Sequence, residues 1–236
     1  MALPIKLSEK ERDFGKQIIL VYGRPKIGKS TLCSKFEKAL FLATEPGLSQ
    51  LEVFKVNVTS WKIFMDTCKE IAQGKHDFKT IIIDTIDNLI PLLQTFVEEQ
   101  SEVDYIGDIP HGKGWFLATQ ELKRVLTKLA MLPYGLVLVS HSKQEEIETK
   151  TKKYNRFTID LSGKNQNAVL NLMDIILFMD SEMKGGEEIG VMRTKPSLYW
   201  EAGDKSKLLP EAIEFPPDKP EIVYDVIKKS FGGKKK

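Results

Sequence analysis

A glycine-rich octapeptide, Gly-Arg-Pro-Lys-Ile-Gly-Lys-Ser at positions 23–30, constrains the fold of this chain more than any other feature. It has the spacing G-x-x-x-x-G-K-[ST] and follows residues 17–22, a short apolar run that predicts a buried strand. A helix is expected from Lys29 to about Ala39. Glycines at this spacing let successive backbone N–H groups point at one anion, and the helix N-terminus adds its positive dipole end. The octapeptide therefore predicts a phosphate-binding loop.

The loop residues suggest a nucleoside triphosphate with magnesium as the ligand. Lys29 is expected to reach the β and γ phosphates, and the Ser30 hydroxyl is expected to bind Mg²⁺. A chance loop is the alternative, but the preceding strand and following helix disfavour it. The guanine-specific pattern Asn-Lys-x-Asp is missing from the sequence, which favours ATP over GTP. The predicted nucleotide-binding residues are Gly23, Arg24, Pro25, Lys26, Ile27, Gly28, Lys29, Ser30 and Thr31.

Short apolar runs alternate with helical segments along most of the chain, which is typical of an α/β fold. Apolar runs without polar interruption fit central strands of a mostly parallel sheet that is flanked by helices on both faces. Trp115–Leu132 has apolar residues at steps of three and four and predicts the longest helix. Further strands are predicted at 40–43, 80–84 and 135–140, followed by a strand and a C-terminal antiparallel hairpin at 174–179, 188–194 and 198–202, and a helix at 222–229.

The composition suits one folded domain. The chain has 236 residues, of which 42% are hydrophobic, and its 35 basic and 33 acidic residues point to no class of partner. We divide it into an N-terminal extension (1–14), an ATPase domain (15–215), and a C-terminal helix with a basic tail (216–236). Cys33 and Cys68 lack metal-ligand spacing, and no run approaches the roughly 18 apolar residues of a membrane span. A cytoplasmic protein is expected.

Asp84 is the predicted magnesium partner of Ser30. It ends the apolar run Thr-Ile-Ile-Ile-Asp, and a magnesium-dependent phosphate site needs a carboxylate at the end of a neighbouring strand. The alternative is an ordinary aspartate that caps the segment after the strand. The upstream phosphate-binding loop favours the metal role.

Glu45 is the predicted water-activating base. It follows the predicted strand at 40–43, directly after the phosphate-loop helix, and Thr85 rather than a second acidic residue follows Asp84. RecA-type ATPases carry their catalytic glutamate at the position of Glu45, whereas many other phosphate-loop classes place it beside the strand-end aspartate. A solvated glutamate in a turn before Pro46 is the alternative.

His141 ends the predicted strand at 135–140. RecA-like proteins place a polar residue there that senses the γ phosphate, and a histidine could do so by donating a ring N–H. A structural histidine is the alternative.

Several of these segments carry a resemblance to a known family. Residues 41–48 (Phe-Leu-Ala-Thr-Glu-Pro-Gly-Leu), Asp84-Thr85, residues 112–115 (Gly-Lys-Gly-Trp) and 133–141 resemble phage-encoded AAA-type nucleotide-binding proteins. That group is similar to the short RecA-like recombinases of phages, the Sak-type single-strand annealing proteins. The resemblance spans residues 15–212. It implies a RecA-like core, ATP hydrolysis, and single-stranded DNA binding in phage recombination or replication, in the cytoplasm of the host.

The resemblance also implies a homo-oligomer, as a ring or filament, in which a cationic finger of one subunit completes the next subunit's site. Family members often have an Ala-Lys-x-Arg-like segment after the last hairpin, whereas this chain has Ala-Gly-Asp-Lys-Ser-Lys at 202–207. Lys205 or Lys207 could replace the missing arginine, and Arg193 and Lys195 on the preceding hairpin strand are further candidates. A single-strand binding protein is a second possible partner.

Two predicted loops, at 101–115 and 142–160, combine basic and aromatic residues. Such a mixture suits single-stranded DNA because charges follow the phosphates and rings stack on bases. Solvated surface loops are the alternative, since acidic residues balance the second loop. The predicted DNA-binding residues are Tyr105, Lys113, Lys150, Lys152, Lys153 and Arg156.

Two functions remain open. The first is a DNA-dependent ATPase, and the second is a nucleotide-dependent switch or assembly factor that acts on a protein. A small-molecule kinase is less favoured, because the chain shows neither an arginine-rich lid nor a defined acceptor pocket.

Overall fold

A computed structural model describes residues 3, 5–7 and 10–232. The basic tail predicted at 234–236 lies outside these residues. Among the helices of the described part, none has both the length and the apolar character that crossing a bilayer requires.

The described residues form ten strands and six α-helices. The strands are β1 (Ile18–Gly23), β2 (Ala39–Ala43), β3 (Phe54–Asn57), β4 (Thr80–Asp84), β5 (Gly135–Glu148), β6 (Lys153–Ile159), β7 (Ile175–Lys184), β8 (Glu187–Arg193), β9 (Gly203–Asp204) and β10 (Ala212–Phe215). The helices are α1 (Lys29–Cys33), α2 (Trp61–Gln73), α3 (Ile86–Ser101), α4 (Lys113–Ala130), α5 (Gly163–Leu172) and α6 (Ile222–Phe231).

The strands form one mixed sheet in the order β10-β8-β7-β1-β5-β4-β2-β3. The six strands from β7 to β3 run parallel, while β8 and β10 extend the sheet with antiparallel pairing. Strand β6 forms a hairpin with β5, and β9 pairs with β7. The predicted fold class, a mostly parallel sheet flanked by helices with a C-terminal antiparallel hairpin, is confirmed.

Both faces of the sheet are covered, which explains the uninterrupted apolar runs. Successive side chains of a strand point to opposite faces. In β1, Leu20 and Tyr22 accordingly join a core formed with α2, α3 and α4, whereas Ile19 and Val21 join a second core formed with α1 and α6. All four side chains are fully buried.

The structure contains two elements between β2 and β4 that the sequence analysis left unassigned, the edge strand β3 and the helix α2. Ser60 caps α2 because its hydroxyl accepts from the backbone N–H of Ile63 at 3.3 Å, and Gly74 ends the helix in the left-handed conformation. Trp61 and Phe64 of α2 are buried against the sheet. Helices α3 and α5 were also unassigned.

Several predicted elements differ from those in the structure. Helix α1 ends at Cys33 instead of Ala39. The backbone hydrogen bonds that follow it span three residues instead of four, and Phe36 packs into the second core. The segment at 198–202 is a loop rather than a strand: the Trp200 indole donates to the carbonyl of Lys195 at 3.0 Å and closes it. The predicted loop at 142–160 is largely the β5–β6 hairpin.

Candidate nucleotide-binding site

The predicted phosphate loop lies where the parallel strands end. Gly23 ends β1, and beyond it a cleft of about 530 Å³ is lined by Lys29, Ser30, Thr31, Glu45, Asp84 and His141, among others. These residues belong to four segments of the chain. They meet because β1, β2, β4 and β5 are parallel neighbours whose carboxyl ends share one edge of the sheet.

The backbone of the loop requires its two motif glycines. Gly28 has φ +100°, a conformation that side chains disfavour, and a Cβ there would lie 2.4 Å from Pro220. A Cβ on Gly23 would lie 2.4 Å from the carbonyl oxygen of Met179. Pro25, Lys26 and Gly28 line the cleft. Two other motif side chains point away from it: Ile27 is buried in the second core, and Arg24 forms an ion pair with Glu188 at 2.5 Å.

Lys29 is held at the loop by backbone oxygens. Its ammonium donates to the carbonyls of Gly23 at 3.0 Å and Arg24 at 2.9 Å, and the residue is 6% exposed. Burial lowers its pKa, which indicates that the site disfavours an unpaired cation. A phosphate is a stronger partner than two carbonyls because a charge-assisted hydrogen bond adds Coulomb attraction.

Ser30 and Asp84 fit a magnesium ion. The Ser30 hydroxyl donates to Oδ2 of Asp84 at 2.7 Å, while Oδ1 of Asp84 is buried and has no hydrogen-bond partner among the described residues. Burial raises the pKa of Asp84 to about 6. No cluster of three or more His, Cys, Asp or Glu side chains with metal-binding geometry occurs in the described part of the chain. Mg²⁺ needs none here, because it usually combines one or two protein ligands with waters and phosphate oxygens.

The raised pKa of Asp84 predicts proton release when Mg²⁺ and nucleotide bind, because a nearby cation favours the ionised carboxyl. Because the released proton must be on Asp84 before binding, the release should be small at pH 8 and should increase as the pH falls through 6. Calorimetric titrations in buffers of different ionisation enthalpy measure it. Asp84→Asn should lose this pH-dependent part, and equal release in both proteins would contradict the assignment.

Without ligand, Asp84 favours folding most below pH 4, and that contribution is lost as the pH rises from 4 to 6.

Glu45 lines the same cleft as Ser30 and Asp84, just past the point where threonines join two strand ends. Thr44 and Thr85 join the ends of β2 and β4: the Thr44 hydroxyl donates to the carbonyl of Thr85, whose N–H donates back to that hydroxyl, each at 2.8 Å. The side-chain amide of Asn88 donates to Oε2 of Glu45 at 2.8 Å. A carboxylate held in this way at the cleft can accept a proton from an attacking water.

His141 is tied to the first turn of α3. Its Nδ1 lies 2.7 Å from Oδ2 of Asp87, and its backbone N–H donates to Oδ1 of the same carboxylate at 3.0 Å. A ring that donates through Nδ1 leaves Nε2 available to a ligand in the cleft. The predicted sensor residue therefore has both a cleft position and a defined orientation.

Comparison with known proteins agrees with this geometry. A model of the AAA domain family AAA_24 matches residues 15–206, which include every element of the cleft described above. The chain belongs to this AAA domain family.

A curated prophage-derived protein and two crystal structures are among the proteins similar to this chain. An uncharacterised SPbeta prophage-derived protein, YorG of Bacillus subtilis strain 168, is 26% identical over 172 residues, which are 70% of this chain and 51% of that protein. The chain thus spans about half the length of this curated relative. The crystal structure of the RadB recombinase has a TM-score of 0.50 at 14% identity, over 86% of this chain and 88% of that one. That likeness supports the RecA-like fold. FlaH, a flagellar accessory protein of Methanocaldococcus jannaschii, has a TM-score of 0.49 at 12% identity, over 86% and 85%.

The candidate fingers of the AAA domain lie in different surroundings. The Arg193 guanidinium binds Glu182 and lies 4.6 Å from the ring centre of Trp200, and its side chain is only 16% exposed. Lys205 is exposed and pairs with Asp174 at 3.2 Å, just before the amino end of β7 and thus at the sheet edge opposite the cleft. Lys207 is exposed nearby.

The candidate DNA-binding residues lie in two places. Tyr105 is exposed and meets the edge of Trp115 at 6.3 Å between ring centres, and Lys113 begins α4. Lys150, Lys152 and Lys153 are exposed at the tip of the β5–β6 hairpin.

Arg156 differs from the three lysines of the hairpin. Its guanidinium binds Glu201 at 2.7 Å and the carbonyls of Ser197 and Leu198, so it holds the 197–201 loop on β6. Lys153 pairs with Glu146 at 2.8 Å.

The sequence analysis missed Asp87 and Asn88, which hold His141 and Glu45. Their position in the first turn after the strand-end Asp84 was the available signal, since that turn borders any ligand at the strand ends. Their specific partners depend on strand order, which no local pattern carries.

Proposed function

We propose that this protein hydrolyses ATP in a magnesium-dependent reaction. The observation that carries the proposal is the joining of Lys29, Ser30, Asp84, Glu45 and His141 in one cleft at the strand ends. In the reaction, the oxygen of a water molecule forms a bond to the γ phosphorus. The bond between that phosphorus and the bridging oxygen to the β phosphate breaks, and ADP leaves with the bonding electrons.

Each residue has a separate task. Lys29 binds the phosphate oxygens and stabilises the charge on the transferring group. Ser30 and Asp84 hold Mg²⁺, which when bound would neutralise charge on the β and γ phosphates. Glu45 orients the attacking water and accepts its proton, and His141, with a proton on each ring nitrogen, donates to the γ phosphate through Nε2.

We further propose that the partner is single-stranded DNA. A second cleft of about 410 Å³ lies between α3, α4 and the start of α5. Trp115 and Phe116, which are 41% and 51% exposed, offer it stacking surfaces, and Lys164 with the first backbone N–H groups of α5 offers it cationic and donor groups. Aromatic rings can stack on unpaired bases, and the N–H groups at a helix N-terminus can bind a phosphate. The two together suit single-stranded DNA. Asp87 and Asp160 also line this cleft, and their negative charges would limit its affinity for the phosphates of DNA.

The family resemblance supports a role in phage recombination, annealing or replication, of the Sak type, and the prophage-derived relative supports a phage origin. A homo-oligomer, as a ring or filament, and a single-strand binding protein are the further partners proposed. For a finger that acts on a neighbouring subunit, the exposed Lys205 and Lys207 suit the role better than Arg193, whose side chain is largely buried. Such a protein would work in the host cytoplasm.

A switch acting on a protein partner is the second candidate. Trp115, Phe116 and Leu117 are at least 40% exposed in one turn of α4, and an apolar patch of this kind suits a protein surface as well as it suits bases.

ATP turnover with and without single-stranded DNA, across a salt series, separates these candidates. We expect DNA to stimulate turnover and the stimulation to fall as salt rises, because bound phosphates release counterions. Trp115→Ala should reduce the stimulation, whereas Met131→Ala, an exposed apolar change at the other end of α4, should leave it unchanged. Turnover without DNA binding at low salt would favour the switch.

A further inference from the structure

The first turn of α3 lies between the two clefts. Asn88 donates to Glu45, which lines the nucleotide cleft, whereas Asp87 lines the second cleft and accepts from both N–H groups of His141. Two consecutive residues thus bind two different groups of the nucleotide site: Asn88 binds Glu45, which follows β2, and Asp87 binds His141, which lies in β5.

We propose that Asp87 and Asn88 are positioning residues that join Glu45 to His141, so that the water-activating carboxylate and the γ-phosphate sensor are oriented as one unit. The inference rests on the proposed ATPase activity and assigns two further residues to it. Neither residue is placed in contact with the reacting atoms.

The hydrogen bond of Glu45 supports this assignment. Oε2 of Glu45 accepts from the side-chain amide of Asn88 at 2.8 Å, and this bond orients the carboxylate. Misplacing a reacting group by about 1 Å can cost on the order of 100-fold in rate, so the restraint matters for turnover.

The proline in α3 removes one backbone hydrogen bond near the start of the helix. Pro91 has no backbone N–H, so the helical bond that residue 91 would donate to the carbonyl of Asp87 cannot form. The turn that carries Asp87 and Asn88 therefore has one backbone hydrogen bond fewer to the next turn of α3. A shift of His141 is transmitted to Glu45 through this turn, because Asp87 moves with His141 and Asn88 follows Asp87 in the chain.

His141 also connects the unit to the hairpin. It lies in β5, between the part of the strand inside the central sheet and the part that pairs with β6. A ligand that moves the hairpin therefore acts on the residue that Asp87 holds.

The test is Asn88→Ala, with nucleotide affinity and turnover measured separately. We expect kcat to fall at least about tenfold, while the Kd for Mg·ATP stays within about twofold, because Asn88 contacts Glu45 and no residue of the phosphate loop. Gln100→Ala, an exposed change at the far end of α3, is the control and should change neither value. Asn88→Asp keeps the side-chain volume and removes the donor, so it should also lower kcat if the alanine variant fails to fold.

A double-mutant cycle tests the link itself. If the residues act as one unit, His141→Ala combined with Asn88→Ala should be no slower than the slower single variant, whereas His141→Ala with Gln100→Ala should match His141→Ala alone. Wild-type turnover in both Asn88 variants, or losses that multiply in the double variant, would overturn the inference and leave the ATPase proposal standing. A wild-type protein that binds but never hydrolyses ATP would overturn both.

Discussion

Replacing Lys29 with alanine is expected to remove nearly all binding of Mg·ATP. The ammonium is the buried cation of the phosphate loop, and burial already lowers its pKa, so it is short of a charged partner that the phosphates would supply. Losing a charge-assisted hydrogen bond to a phosphate typically costs about 1.5–3 kcal/mol per bond, and Lys29 is expected to make two. A loss of affinity of at least about 100-fold follows, measurable with a fluorescent nucleotide analogue.

Lys35→Ala is the matched control. Lys35 lies just beyond α1 and is exposed, so the change removes the same charge without touching the cleft. It should leave affinity within about twofold, because an exposed charge several residues from the ligand is screened by solvent. A Lys29→Ala protein that binds nucleotide normally would contradict the phosphate-loop assignment.

The parts of the site that the sequence predicted are those in which function fixes local spacing. The loop at 23–30 needs its glycines, its lysine and its hydroxyl at set positions, so its geometry is visible in eight residues. Asp84 and Glu45 were identified from their positions after apolar runs, because the ends of parallel strands meet at one edge. The structure brings both side chains to that edge.

The parts that were not predicted from the sequence have two different causes. Helix α2 has the apolar spacing of a helix, at Trp61, Phe64, Cys68 and Ile71, and a serine cap, so its absence from the sequence analysis reflects an unused local signal. The state of Arg193 is different in kind. Its contact with Trp200 depends on a loop that closes through tertiary packing, and the same residues could equally have formed a strand.

The full length of β5 also depends on a contact that the sequence pattern does not show. Its first half is apolar because it lies inside the sheet, and its second half alternates between intermediate and exposed residues because only β6 pairs with it. The change in pattern at His141 was interpreted as the end of a strand. It is the point where one strand leaves the central sheet, which places the sensor residue at the base of a projecting hairpin.

Glu45→Gln should separate binding from hydrolysis. Glutamine keeps the volume of the side chain and can still accept from Asn88 through its amide oxygen, so the cleft should keep its shape and its affinity for Mg·ATP. The amide cannot take a proton from water, and general-base catalysis contributes on the order of 100- to 10,000-fold. We therefore expect kcat to fall at least about 100-fold with Kd nearly unchanged, measured by phosphate release and by equilibrium binding.

The comparison with Glu52→Gln makes this prediction specific. Glu52 is exposed a few residues further along the same segment, so its substitution removes an equal charge outside the cleft and should leave kcat unchanged. If Glu45→Gln also turned over at the wild-type rate, another group would have to activate the water. Asp84 is the other carboxylate that lines the cleft, but a carboxylate that serves Mg²⁺ is a poor base because the cation lowers its pKa. Loss of turnover with retained binding would thus assign the proton to Glu45 and leave Asp84 to the metal.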